Sequence, residues 1–231
     1  MGKLGYIYHG GAFVLKGLLS KSTRQFYDRC AKNYDASNPM QKRYAEELMD
    51  QMPYSEIGLD IACGTGISTL ELGTKCGKVH ALDFSSNMLS LARKNILLHQ
   101  YSFVKGNFLE LPFEDNSIDT ACVIGAIRHI PQNKEKMFFS ELSRVTGPGG
   151  IAGMVVTDYN PIFRPGASAY NCFMKFRGLD ECICKYNSKY VCNLLSSSGF
   201  EVIRKELLLE TIDDFLSFPN LIIAQKPESY K

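Results

Sequence analysis

The sequence predicts an α/β protein with a seven-stranded, mostly parallel sheet, a terminal antiparallel hairpin strand and helices on both faces. Short apolar runs alternate with segments of helical periodicity, which is the pattern of strands joined by crossover helices. The first apolar run ends in a glycine-rich turn that leads into a helix, and the last two runs are joined by so few residues that they should pair as a hairpin. A chain of 231 residues can bury one full core without disulfides or metals.

Each element has its own local signal. Apolar runs between turn residues predict the strands, and apolar residues spaced three and four apart predict the helices. Ser85 or Ser86 is placed to cap one helix, Gly199 to end another, and the Gly-Pro-Gly-Gly run at 147–150 predicts a sharp turn into the fifth strand. The strands are predicted at 57–62, 78–82, 101–105, 118–124, 151–157, 200–207 and 218–225, and the helices at 67–75, 85–98, 133–145 and 188–198.

Two further segments complete the predicted organisation. Residues 23–52 read as helical in two pieces broken near Asn38-Pro39, so we expect residues 1–52 to form an N-terminal helical extension or cap. Residues 53–231 then form the main domain. Within it, residues 158–187 have no clean period and hold many aromatic side chains, which predicts an insertion over the edge of the sheet.

The composition excludes several classes of function. Twenty-six Lys plus Arg against 24 Asp plus Glu give a net charge of +2, so no strong field favours nucleic acid. The sequence contains no run of about 18 apolar residues, so it predicts no transmembrane helix. The apolar stretch at 6–19 is interrupted by Gly and Lys residues, which does not fit a signal peptide. Because several of the eight cysteines fall in predicted core elements, we expect free thiols and a cytoplasmic location.

Polar residues follow three consecutive predicted strands. After the first strand, Gly64 and Gly66 let the backbone turn tightly and direct amides and a helix N-terminus toward a ligand. The dinucleotide fingerprint is incomplete because Thr69 stands at its third glycine, which argues against a nicotinamide cofactor. Asp83 ends the second strand, where a carboxylate can accept hydrogen bonds from both ribose hydroxyls. Asn107 ends the third strand and can accept from an adenine amino group, so these strand ends suit one adenosine.

Together these motifs resemble the class I S-adenosylmethionine-dependent methyltransferases, and in particular the small-molecule branch that includes the ubiquinone and menaquinone biosynthesis enzymes. The resemblance covers roughly residues 26–156 and implies a Rossmann-like fold, S-adenosylmethionine as cofactor and S-adenosylhomocysteine as product. It rests on Tyr34-Asp35, the Asp-x-Ala-x-Gly-x-Gly run at 60–66, Asp83 with Met88, and Gly106-Asn107 before Leu111-Pro112-Phe113. It implies that the cofactor is bound by Tyr34, Asp60, Ala62, Cys63, Gly64, Gly66, Asp83, Phe84, Met88, Asn107, Phe108, Ile124 and Gly125.

The chain departs from the family pattern at two positions. Ala62 stands where the family often has glycine, which costs little if the backbone there is not left-handed. Asn107 replaces the commoner aspartate but keeps an acceptor oxygen, so the expected contact with adenine survives.

Methyl transfer is an in-line displacement, so the main task of the protein is alignment, and a general base helps only when the acceptor must lose a proton. His129, just after the fourth strand, is the candidate base, and its alternative role is that of a helix-start histidine that serves structure or a cofactor contact. The absence of an Asn-Pro-Pro-Tyr motif and of basic clusters favours a small, partly apolar acceptor. Its candidate contacts are Asp158, Tyr159, Arg164 and Tyr170. The sequence leaves the oligomeric state open.

Two alternatives stay open at this level. The lack of a decisive catalytic residue is compatible with a cofactor-binding but inactive partner subunit. The concentration of thiols at Cys172, Cys182, Cys184 and Cys192 is compatible with a thiol-assisted metalloid methyltransferase, since arsenite methyltransferases resemble this fold. The cysteine spacing matches no zinc pattern, and we therefore expect no metal site.

Overall fold

The predicted α/β architecture is confirmed by the computed structural model, which describes residues 22–37, 40–131, 133–159, 187–208 and 217–228. Seven strands form one sheet in the order β3-β2-β1-β4-β5-β7-β6. Strand β7 pairs antiparallel with both β5 and β6, and the other pairings are parallel. The strands are β1 (Ser55–Ile61), β2 (Cys76–Asp83), β3 (Tyr101–Lys105), β4 (Ile118–Ile124), β5 (Thr146–Tyr159), β6 (Glu201–Leu207) and β7 (Ser217–Gln225).

Helices precede and connect the strands, and two of them show the predicted end signals. The Ser85 hydroxyl accepts a hydrogen bond from the Met88 amide, and Gly199 adopts a left-handed φ of 92° just after another helix. The helices are α1 (Thr23–Cys30), α2 (Tyr34–Ser37), α3 (Met40–Asp50), α4 (Ile67–Leu72), α5 (Ser86–Asn95), α6 (Glu135–Val145) and α7 (Ser188–Ser197), with 3-10 turns at Ala31–Asn33 and Ile127–His129.

The alternation of side chains along the strands divides the core between the two faces of the sheet. On β2, Val79 packs with residues of α3 and α4, and Ala81 packs against Leu89 of α5, so these three helices cover one face. Leu82 points the other way, into a cluster with Phe138 of α6 and residues of α7. The N-terminal helix α3 is thus part of the core, while the predicted boundary at residue 52 stays a prediction.

The run at 147–150 differs from the predicted turn because it lies within β5 as a bulge. Ile118 pairs with Thr146 but Thr120 pairs with Ile151, so the residues between them are looped out of the ladder. A Cβ added to Gly150 would lie 2.8 and 2.9 Å from the Gly147 and Asp119 carbonyl oxygens, so this bend admits only glycine there. The sequence signal correctly marked a change of chain direction, although the ladder continues on both sides of it.

The sheet also fixes where a ligand can bind. Strand β1 pairs with β2 on one side and with β4 on the other, so the strand order reverses beside β1. Crevices at such a reversal, outside the carboxyl ends of the strands, are the ordinary ligand sites of open α/β sheets. Within the described residues, no helix is long and apolar enough to cross a membrane.

Candidate cofactor and acceptor site

A cavity of about 630 Å³ opens at the carboxyl ends of β1, β2 and β4. Ten of the residues predicted to bind the cofactor line it, although their sequence positions span more than ninety residues. They are Tyr34, Ala62, Gly64, Asp83, Phe84, Met88, Asn107, Phe108, Ile124 and Gly125. Their role in binding stays a prediction, which their convergence on one cavity supports.

Asp83 is the buried anion of this cavity. The residue is only 4% exposed, and its carboxylate accepts hydrogen bonds from the Gly64 amide at 2.9 Å and from the Ser85 amide at 2.8 Å. Each oxygen therefore has one backbone donor and keeps capacity to accept another hydrogen bond. The pKa of Asp83 is raised to about 6, first by burial and then by the negative charges of Asp60 and Asp28, against the opposing effect of the two amides. Two hydroxyl donors from a ligand would favour the ionised form.

Three of the predicted cofactor residues do not line the cavity but lie behind the loop that joins β1 to α4. The Asp60 carboxylate is fully buried and accepts hydrogen bonds from the Ser68 and Thr69 hydroxyls at 2.8 and 2.7 Å. It therefore holds the first turn of α4 against β1. Cys63 is also buried, and burial raises the pKa of its thiol well above the ordinary value, so it packs as a small apolar side chain.

Gly66, the third of these residues, is required for helix packing. It adopts a φ of 95°, and a Cβ there would lie 2.8 Å from Ile96 Cδ1 and 3.3 Å from Ala92 Cβ. The left-handed φ and the close approach of the start of α4 to the end of α5 thus both favour glycine at this position.

Ala62 adopts a left-handed φ of 62°. The sequence predicts a small cost for alanine here only if the backbone is not left-handed. Because it is left-handed, the alanine side chain has a conformational cost of roughly 1–2 kcal/mol. The strained residue sits where β1 ends and the chain turns into the cavity. Adjacent hydrogen bonds, from the Cys63 amide to the Leu82 carbonyl and from the Gly64 amide to Asp83, hold the turn in place.

The residues at the end of β3 form the opposite wall. Asn107 Oδ1 accepts a hydrogen bond from the Leu109 amide at 3.0 Å, which closes a local turn and leaves one acceptor position on that oxygen for a ligand. The Phe108 ring also lines the cavity and meets Phe138 edge-on, with ring centroids 5.5 Å apart. The wall therefore combines a polar edge with a fixed aromatic surface, as an adenine ring requires.

The N-terminal helices α1 and α2 and the residue before them form a further wall of the cavity. Of their lining residues, the sequence predicted only Tyr34. Tyr27 on α1 also lines the cavity, and a 3-10 turn at Ala31–Asn33 separates it from Tyr34 on α2, so no local sequence signal identifies it. Asp28 accepts a hydrogen bond from the Ser85 hydroxyl at 2.5 Å, and Asp35 accepts one from the Thr65 hydroxyl. The further lining residues are Ser22, Thr23, Arg24, Lys105, Gly106, Leu109, Ala126 and Pro131.

His129, the predicted base, lines the cavity beside Tyr27. The Tyr27 hydroxyl lies 2.6 Å from His129 Nε2, and the Arg128 Nε–H donates to the same nitrogen at 3.3 Å. Burial, and then the positive charge of Arg128, hold the pKa of His129 well below its ordinary value. The imidazole is therefore neutral at physiological pH, which is the form a general base needs.

The predicted acceptor contacts are only partly described. Asp158 accepts hydrogen bonds from the amide and the hydroxyl of Ser188, at 2.5 and 2.7 Å, so its carboxylate anchors the start of α7. It does not line the cavity. The Tyr159 side chain, Arg164 and Tyr170 lie outside the described residues.

One of the four clustered cysteines, Cys192, lies within the described residues. Cys192 is half-buried with a free thiol, whereas Cys172, Cys182 and Cys184 lie outside the described residues. Within the described ranges, no group of three or more His, Cys, Asp or Glu side chains is arranged to hold a metal ion.

The raised pKa of Asp83 predicts a pH dependence of cofactor affinity. In the predicted site only the ionised carboxylate can accept hydrogen bonds from both ribose hydroxyls, so affinity for S-adenosylhomocysteine should fall as the pH drops through about 6. With a pKa near 6, about one-tenth of the sites are ionised at pH 5, which predicts a roughly tenfold loss. Calorimetric titration between pH 5 and 8 measures it. An Asp83→Asn variant should bind more weakly with a flat profile, and a flat profile in the unsubstituted protein would contradict the prediction.

Comparison with known proteins agrees with this geometry. A family profile described as "Methyltransferase domain" matches residues 59–150, the stretch from β1 to the bulge in β5. The demethylmenaquinone methyltransferase of Oceanobacillus iheyensis is 33% identical over 163 residues, covering 65% of this chain and 67% of that protein. The enzyme of the same name from Bacillus licheniformis is 34% identical over 148 residues, covering 59% and 63%. The matches thus span about two thirds of the length of these relatives.

Solved structures share the fold. A SAM-dependent methyltransferase from Methanosarcina mazei superposes with a TM-score of 0.65 and 24% identity, covering 78% of this chain and 96% of that one. At this level of identity the likeness concerns the architecture and carries no information about the acceptor.

Proposed function

This chain belongs to the class I S-adenosylmethionine-dependent methyltransferases, and we propose that it transfers a methyl group by in-line displacement to a small, partly apolar acceptor. The observation that carries the proposal is the cavity at the reversal of strand order, where a buried carboxylate, an aromatic wall and a neutral histidine meet.

The residues of the cavity fit S-adenosylmethionine in size and in chemistry. Asp83 supplies an acceptor for each ribose hydroxyl, and Asn107 with Phe108 supplies a polar edge and a ring face for adenine. A Cβ built on Gly125 meets nothing within 4 Å, so the end of β4 leaves open space where the methionine part would pass. When bound, S-adenosylmethionine supplies an electrophilic methyl group on a sulfonium. The protein supplies alignment of that group with the acceptor and shields both from water.

For the acceptor, we propose a phenol or quinol with an apolar body. Ile124, Ala126 and Pro131 line the cavity beside His129 and favour an apolar ring over a charged polymer. The curated relatives are named for demethylmenaquinone, which makes a reduced naphthoquinone the first acceptor class to test. A general base next to the acceptor suits this class because a phenol must lose a proton to react as a nucleophile.

The test begins with the cofactor and then adds the acceptor. We expect calorimetric titration of the full chain to show one site for S-adenosylmethionine and one for S-adenosylhomocysteine, with dissociation constants near micromolar. Incubation with S-adenosylmethionine and naphthalene-1,4-diol under reducing conditions should then give a methylated product and an equal amount of S-adenosylhomocysteine.

The outcomes separate the alternatives. Cofactor binding without methyl transfer to any phenol or quinol offered would favour the inactive partner subunit. Absence of binding in folded protein free of copurified cofactor would contradict the proposal altogether. Methyl transfer to arsenite but not to phenols would favour the thiol-assisted alternative.

A further inference from the structure

The contact between Tyr27 and His129 joins the N-terminal helix to the end of β4. The two residues are 102 positions apart in the chain, and the hydroxyl-to-nitrogen distance of 2.6 Å is at the short end for such a hydrogen bond. Both side chains line the cavity. The Tyr27 ring is held edge-on against His129, Tyr34 and Phe84, with centroid distances of 5.2, 5.9 and 6.3 Å. Its hydroxyl is therefore fixed in position.

The neighbouring arginine determines the direction of this hydrogen bond. A guanidinium N–H can only donate, so the contact from Arg128 Nε requires His129 Nε2 to be an acceptor. A neutral imidazole with an unprotonated Nε2 carries its proton on Nδ1. The Tyr27 hydroxyl must then be the donor to Nε2. Nε2 already accepts hydrogen bonds from Tyr27 and Arg128. The group that can contact the methyl acceptor is therefore the tyrosine oxygen rather than the histidine nitrogen.

We propose that Tyr27 is a catalytic residue that takes the proton of the acceptor while it passes its own proton to His129. This inference rests on the proposed function, and it deepens the role of the site. The acceptor O–H proton moves to Tyr27 Oη, and the former Tyr27 proton moves to His129 Nε2. The electron pair left on the acceptor forms its new bond to the methyl carbon as the carbon–sulfur bond breaks, with that pair remaining on sulfur. His129 later returns the proton to water.

The charge balance of this step favours it in a closed cavity. Before transfer, the positive charge is on the sulfonium and His129 is neutral; afterwards the sulfur is a neutral thioether and the imidazole is cationic. The net charge of the site is therefore conserved, so no additional charge is created in a partly buried cavity. The nearby Arg128 opposes the imidazolium and so promotes the return of the proton once the acceptor is methylated.

The kinetic test uses the full chain with S-adenosylmethionine and naphthalene-1,4-diol. Tyr27→Phe removes one oxygen and keeps the ring, and we expect it to lower kcat at least ~100-fold, the usual contribution of general base catalysis. Affinity for S-adenosylhomocysteine should stay unchanged. His129→Gln should lose a similar factor, and the double variant should be no worse than the more impaired single variant, because the two residues act as one unit. Tyr54→Phe, which removes the hydroxyl of a 66% exposed tyrosine, is the matched control.

A second readout does not depend on the acceptor. The chain has four histidines, so ¹⁵N NMR of histidine-labelled protein with bound S-adenosylhomocysteine can resolve His129, assigned by loss of its signals in His129→Gln. We expect an unprotonated, hydrogen-bonded Nε2 that changes on Tyr27→Phe. A protonated Nε2 would overturn the proposal even if naphthalene-1,4-diol is not a substrate. An unchanged kcat in Tyr27→Phe with weakened cofactor binding would also overturn it, since Tyr27 would then only hold α1 over the cavity.

Discussion

Replacing Asp83 with alanine is expected to weaken binding of S-adenosylmethionine and S-adenosylhomocysteine roughly 10- to 100-fold, equivalent to about 1.5–3 kcal/mol. Asp83 is only 4% exposed, and alanine leaves no carboxylate oxygen there to accept hydrogen bonds from a bound ribose. Calorimetric titration at pH 7.5, well above the pKa of about 6, compares the fully ionised site with its absence.

Two features of Asp83 make the expected loss large. Its oxygens accept from the Gly64 and Ser85 amides, so the carboxylate also orients the cavity loop and the cap of α5. Alanine leaves both amides buried without that acceptor, which adds a cost to the free protein. Equilibrium unfolding of the variant therefore has to accompany the binding measurement, so that loss of affinity is measured on folded protein.

Asp50→Ala provides the matched control because Asp50 is an exposed residue at the end of α3, away from the cavity lining. It should bind both ligands like the unsubstituted protein. Unchanged affinity in a folded Asp83→Ala variant would contradict the assignment of Asp83 to the ribose, and would leave the fold and the family membership intact.

The sheet could be predicted from the sequence because its signals are local. The strand predictions at 101–105 and 118–124 coincide with β3 and β4, since each is a short run of strand-forming residues bounded by turn residues, half-buried at the sheet edge in β3 and mostly buried in β4. The cap at Ser85 and the left-handed Gly199 also follow from a few adjacent residues. The position of β7 between β5 and β6 depends on contacts distant in sequence, and periodicity alone does not determine it.

The cavity could be predicted only where function coincides with strand ends. Asp83 is the last residue of β2 and Asn107 lies two residues after β3, and parallel strands bring their carboxyl ends together. Asp60 also follows this pattern, but its neighbours Ser68 and Thr69 direct its carboxylate behind the loop. Tyr27 reaches the cavity through the packing of α1 against α5, a tertiary contact that no local motif encodes.

Gly66→Ala is expected to lower the free energy of unfolding by about 2–4 kcal/mol, the sum of a left-handed alanine and an overpacked contact. The new Cβ would lie 2.8 Å from Ile96 Cδ1 and 3.3 Å from Ala92 Cβ. Gly125→Ala is the matched control, because its φ of 72° is also left-handed but its Cβ would meet nothing within 4 Å. Denaturant unfolding should give the control only the conformational cost of about 1–2 kcal/mol.

The part of the Gly66→Ala cost that comes from packing can be measured by shortening the Ile96 side chain. Ile96→Val alone should cost about 0.5–1.5 kcal/mol, because Ile96 is buried. If Cδ1 is the obstacle, the double variant with Gly66→Ala should be more stable than the sum of the two single effects. Additive effects, or equal costs at Gly66 and Gly125, would contradict the packing role. Gly66 lies behind the cavity wall, so the folded double variant should bind S-adenosylhomocysteine far better than Asp83→Ala does. This difference distinguishes Gly66, which shapes the loop, from Asp83, which is predicted to bind the ligand.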